Sequence, residues 1–258
     1  MPQTTKGTLG HLSLKIVLLT ALGVGGATIF GAMIGLVFRR ISPRLHDAIL
    51  AFAAGVMMAA AMIGLIFPSL EYGAGYGFVS CIVGIFLGAA TVNFFDLVLP
   101  ILFRKSDLCT DDGLKKVVLF VSAIAIHNLP EGIAAGVGFG TGEIGDALLI
   151  ATAIALQNIP EGMIVFVAML GAGIPTGRTF FYAAMTGVVE IVGTLVGYFA
   201  VSISAALLPF ALAFAGGTML YVISDELIPD THSEDGGHLN TYLLLFGFCF
   251  MLAFDAIV

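Results

Sequence analysis

Apolar residues run along this chain in long blocks, broken by short clusters of glycine, proline and polar residues. A helix needs about 20 mostly apolar residues to cross a bilayer, and the blocks are of that length. The pattern predicts helices over Leu14–Phe38, Leu45–Leu70, Tyr76–Phe103, Leu114–Gly138, Asp146–Gly171, Thr179–Ser202, Ala205–Ile228 and Leu239–Val258. The first block is too long for the core of a signal peptide, lacks a small-residue cleavage site and ends in Arg39-Arg40, so it reads as a span. The connections between blocks are short. The expected fold is all-α: one polytopic transmembrane domain over residues 1–258, a bundle of eight helices.

Composition agrees with that pattern. Apolar residues make up 59% of the chain and charged residues 10%, and the mean hydropathy is +1.07. A soluble domain is about 25% charged, so this chain has too little polar surface to face water, and lipid must be its solvent. The net charge of −7 argues against a nucleic-acid partner, which requires a basic footprint. Cys81, Cys109 and Cys249 show no metal-binding or disulfide spacing. Basic residues orient the bundle. Arg39, Arg40, Arg44, Arg104, Lys105, Lys115, Lys116 and Arg178 fall in connections on one side, and only Lys6 and Lys15 on the other. The positive-inside rule then leaves both termini on the non-cytoplasmic side. Short loops without targeting segments suggest a prokaryotic inner membrane.

The fourth and fifth blocks carry an internal repeat. One reads His127-Asn128-Leu129-Pro130-Glu131-Gly132, the other Gln157-Asn158-Ile159-Pro160-Glu161-Gly162. Residues three and four apart share a helix face, so each block aims its His or Gln, its Asn and its Glu the same way. Each proline removes a backbone donor and is expected to kink its helix, freeing a carbonyl such as that of Ile126. Such a kink is tolerated at membrane depth where it lines a cavity or meets protein. Running antiparallel, the kinked helices would bring an imidazole, three amides and two carboxylates into one central site.

Charge sharpens the reading. Glu131, Glu161 and Glu190 lie deep in apolar sequence, where an acid costs at least about 2.5 kcal/mol on insertion scales and is normally paired. Beyond Lys116 the only basic residue is Arg178, at a predicted helix end. A mobile cation can take the missing partner's place, and imidazole with carboxylates suits zinc, iron, manganese, cobalt or cadmium as divalent ions. Alone, a membrane proline is a kink, an amide is interhelical glue and an acid can relay protons. Two matched copies on adjacent helices are hard to produce from packing needs.

These residues resemble the ZIP (Zrt/Irt-like) family of divalent metal-ion transporters, in particular its GufA-like bacterial branch. The two blocks match the family's fourth and fifth helices, Gly187-Val188-Val189-Glu190 its sixth, and Ser224 to Pro229 its seventh. The resemblance implies that His127, Glu131, Gln157 and Glu161 hold the transported ion. Asn128, Asn158 and Glu190, sharing Glu131 and Glu161, would hold a second one, making the centre binuclear. It further implies eight helices, movement of metal toward the cytoplasm by alternating access, sliding of a transport bundle against a scaffold, and a homodimer. The metal is then substrate, with no prosthetic group. Two departures stand out: Gln157 replaces a histidine common in the family, and Asn158 replaces an aspartate of some relatives.

Asp225, Glu226, His232, Asp255 and Met57 are candidate pathway residues; at each a plain interfacial or packing role competes. The loop with Asp107, Cys109, Asp111 and Asp112, and the one with Asp230, His232, Glu234, Asp235 and His238, read as hydrated loops before metal stores. A metal-dependent intramembrane hydrolase is the alternative. It lacks HExxH and a nucleophile beside the blocks, so the expectation is no enzyme. A proton- or sodium-coupled carrier of an organic solute is a further alternative, and in it His127 is dispensable.

Overall fold

The computed structural model describes residues 4–105, 125, 127–171, 173–231 and 237–257. Its helices are α1 (Thr4–Val37), α2 (Pro43–Tyr72), α3 (Gly77–Lys105), α4 (127–137), α5 (Ile144–Gly171), α6 (Thr176–Ile203), α7 (Leu208–Thr231) and α8 (Gly237–Asp255). Among the described residues there is no strand, and seven helices are long and apolar enough to cross a membrane. The exception is α4, because 114–124 and Ile126 of the expected fourth span lie outside the described residues. Helical among its described residues, the chain is an integral membrane protein. Large apolar side chains such as Leu19, Phe86, Ile203 and Tyr242 project outward, while polar ones collect at the centre. That inversion suits a lipid solvent.

Local signals set the helix ends. Ser42 Oγ accepts the Leu45 N–H at 3.3 Å, and Pro43 follows it at the first helical position, where its missing donor costs nothing. The prolines of the paired blocks sit inside helices: Pro160 lies within α5 and Pro130 within α4. The regular α ladder breaks elsewhere. Residues Ala61–Ile66 of α2 and Ile223–Leu227 of α7 form π turns, in which Phe67 N–H reaches back to Met62 and Ile228 N–H to Ile223. One residue past each turn, after Phe67 or Ile228, stands a proline, Pro68 or Pro229, which cannot supply the next donor.

Packing sorts the helices into two groups. In one, α1 lies against α5 and α6, and α4 against α6; in the other, α3 pairs with α7 and α2 with α8. Glycines permit these contacts. A Cβ on Gly132 would stand 2.3 Å from the backbone oxygen of Glu190, and one on Gly162 would stand 2.1 Å from that of Thr28. Both glycines close the repeated blocks, so each block carries its own docking point for a neighbouring helix. The groups meet where α2 runs beside α5.

Candidate metal centre

The two repeated blocks meet across α4 and α5. Asn128, Glu131, Gln157, Asn158 and Glu190 are all buried, each with at most 3% of its surface exposed. Gln157 Nε2 donates to Glu131 Oε1 at 2.7 Å, joining α5 to α4. Glu190, on α6, accepts from three helices. Thr28 Oγ1 donates to its Oε1 at 2.6 Å, Asn158 Nδ2 to its Oε2 at 2.6 Å, and Asn128 Nδ2 also to Oε1. Asn158 Nδ2 lies within 3.3 Å of the Val24 carbonyl as well. Glu161 and Gln157 line a small cleft with Met57, Leu50, Ala53 and Leu227.

What remains unpaired is as informative. Glu131 Oε2, Gln157 Oε1, Asn128 Oδ1 and Asn158 Oδ1 are buried and lack a hydrogen-bond donor. All four are acceptors. A buried polar group without a partner costs about 1–3 kcal/mol, more when charged, so a concentration of bare oxygens is expensive unless something positive meets them. Arg178 does not: it lies in the first turn of α6, twelve residues from Glu190, or about 18 Å at the rise of a helix. This oxygen set suits a borderline-to-hard divalent ion, with His127 nearby to contribute nitrogen.

His127 faces a second cluster. Its Nε2 is 2.8 Å from Glu226 Oε1 and 3.9 Å from Asp96 Oδ1, and one ligand atom from each of the three residues lies within 4.8 Å of the others. Asp96 and Glu226 are about 30% exposed, at 28% and 31%, so this cluster is more open than the block centre. The π turn of α7 turns Glu226 toward His127 and leaves Asp225 exposed. Asp96 and Thr28 are the two residues that sequence reasoning missed. An acid alone in the apolar run of α3 is itself a signal; Thr28 carried none. Asp255 lies apart, in a cavity of about 290 Å³ with Glu71, Asp146, Thr141, Ile63 and Gly64. His232, Glu234 and Asp235, like Asp107, Cys109, Asp111 and Asp112, lie outside the described residues.

Known proteins carry the same chain pattern. The sequence profile of the family described as ZIP Zinc transporter matches residues 112–255, the stretch that holds both blocks, Glu190 and Glu226. The chain belongs to the ZIP family. Among its ZIP relatives, the zinc transporter GufA of Myxococcus xanthus is 35% identical over 92% of this chain and 97% of its own. The zinc transporter ZIPB of Bordetella bronchiseptica is 37% identical over 89% of this chain and 77% of its own. The human zinc transporter ZIP11 is 31% identical over 95% of this chain and 98% of its own. ZIP membership makes the chain a transporter rather than the hydrolase weighed above.

Proposed function

We propose that this ZIP chain carries a divalent transition-metal cation, zinc before iron, manganese, cobalt or cadmium, across a bacterial inner membrane toward the cytoplasm. One observation carries the reading: oxygens of Glu131, Gln157, Asn128 and Asn158 are buried without donors, both asparagines are bonded to the buried Glu190 carboxylate, and among the described residues no lysine or arginine pairs with them. His127, Glu131, Gln157 and Glu161 hold the principal ion. Asn128 and Asn158, with Glu190, form an adjacent second position, and Met57 borders the cleft beside Gln157 and Glu161.

Passage follows from the two clusters. His127 stands between the buried centre and the more open Asp96–Glu226 pair, so it can present its nitrogen to an ion in either. Glu226 and Asp96 then receive the ion on its way out, with the exposed Asp225 next along α7 and His232, outside the described residues, a further pathway candidate. Both termini lie outside the cytoplasm, eight helices span the bilayer, and the α1/α4/α5/α6 group moves against the other group to alternate access. A homodimer accommodates this movement as in the family.

The test is zinc uptake into proteoliposomes. Glu131→Gln keeps the size and removes the charge, so uptake should fall by at least a hundredfold while the purified protein remains monodisperse; losing a charged ligand from a buried site costs about 3 kcal/mol or more. Wild-type uptake by Glu131→Gln would overturn the assignment.

A further inference from the structure

Glu190 is fully buried, and its two oxygens are held by side chains of three other helices. Two of those donors are the amide nitrogens of Asn128 and Asn158. An amide whose nitrogen is fixed on Glu190 turns its oxygen the opposite way. Both of those oxygens, Asn128 Oδ1 and Asn158 Oδ1, are buried without a donor. The carboxylate therefore works at one remove: it aims two neutral oxygens away from itself.

Something must in turn fix the carboxylate. Glutamate has three rotatable side-chain bonds and the asparagines can swing with it, so these three groups alone could turn together. Thr28 is different. It is β-branched, hence stiff at χ1, it is 1% exposed, and its backbone sits at the crossing that Gly162 leaves open for α1. The arrangement is paired: Gly132 of one block docks against the backbone of Glu190, and Gly162 of the other docks against the backbone of Thr28. Thr28 thus holds on α1 the station that Glu190 holds on α6, and their side chains meet at 2.6 Å.

We propose that Thr28 is a positioning residue for the second metal position, its hydroxyl locking Glu190 so that the Asn128 and Asn158 amide oxygens face the ion. The proposal rests on the transport reading above and deepens it. It makes Glu190 the frame of that position and the two amide oxygens its ligands.

Calorimetric titration of the purified full chain with zinc alone tests this. The wild type should show two binding events. Thr28→Val keeps the shape and deletes the hydroxyl, and should weaken the second event about tenfold relative to the first, the size of one lost hydrogen bond to a charged group. Thr28→Ser, which returns the hydroxyl without the stiffening branch, should restore most of it. Thr28→Ala adds no volume and guards against a misfit of the valine; it should show the same loss. A single event in the wild type, a Thr28→Val titration that superimposes on it, or a Thr28→Ser protein as weak as Thr28→Val would each overturn the proposal. Failure of the transport reading would show separately, as undiminished uptake by Glu131→Gln.

Discussion

At the scale of single residues, Asp96 makes the sharpest claim, because it touches His127 from a helix that carries none of the repeated motif. It is partly exposed and 3.9 Å from the imidazole, a position suited to receiving an ion rather than to holding it. Asp96→Asn should lower the maximal rate of zinc uptake about tenfold with a smaller change in KM, the pattern of a lost departure step. Initial rates in proteoliposomes over a range of zinc concentrations would measure it, and unchanged rates would remove Asp96 from the route. The contrast with Glu131 explains what a sequence can reveal. Spacings of three and four along one helix fix a shared face, so Asn128 with Glu131 and Asn158 with Glu161 could be assigned one face each, but that both asparagines bond Glu190 could not be read. Thr28 was not, because a threonine within a span ordinarily bonds its own backbone, as Thr194 does to Glu190 and Thr91 to Leu87. Only the crossing of α1 over α5 distinguishes it.

At the scale of elements, the glycines that end the two blocks do more than their small size suggests. Gly162→Ala drives a methyl group to 2.1 Å from a backbone oxygen, which no side-chain rearrangement relieves, so α1 must retreat from α5. Overpacking of this kind costs about 1–3 kcal/mol. The variant should melt at a lower temperature in detergent and bind zinc less tightly. Gly26→Ala is the matched control: a Cβ there meets nothing within 4 Å, and alanine is the better helix former. It should melt no lower than the wild type. The helices themselves were readable from hydrophobic runs, but the π turns were not, since an apolar stretch looks alike with either hydrogen-bond pattern. Pro68 and Pro229 mark both turns in the sequence, and the turn before Pro229 decides which way Glu226 faces.

At the scale of the whole molecule, the seam between α2 and α5 is where relative movement of the two helix groups would be felt. A Cβ on Gly64 would lie 3.8 Å from that of Ile150, the usual separation across a disulfide. On a background with Cys81, Cys109 and Cys249 replaced by serine, the pair Gly64→Cys and Ile150→Cys should cross-link on oxidation. Zinc uptake should then stop and return with reductant. Full uptake by the cross-linked form would mean that the two groups need not slide at this seam. That the chain is helical and spans a membrane was legible in it, but this two-part organisation was not, since it depends on which glycines face which backbones.

The layer beside that seam has a further consequence. There α2, α5 and α7 pack Ala61, Leu65, Ile150, Ile154 and Leu212 into one buried apolar cluster, and residues of α2 and α5 also line the cavity at Glu71, Asp146 and Asp255. Asp96 and Glu226, beside His127, are partly exposed. An apolar cluster on one side of the centre and an exposed acid pair on the other would make access to it one-sided. A charged reagent that cannot cross lipid would reach the ion-binding residues from a single face of the membrane.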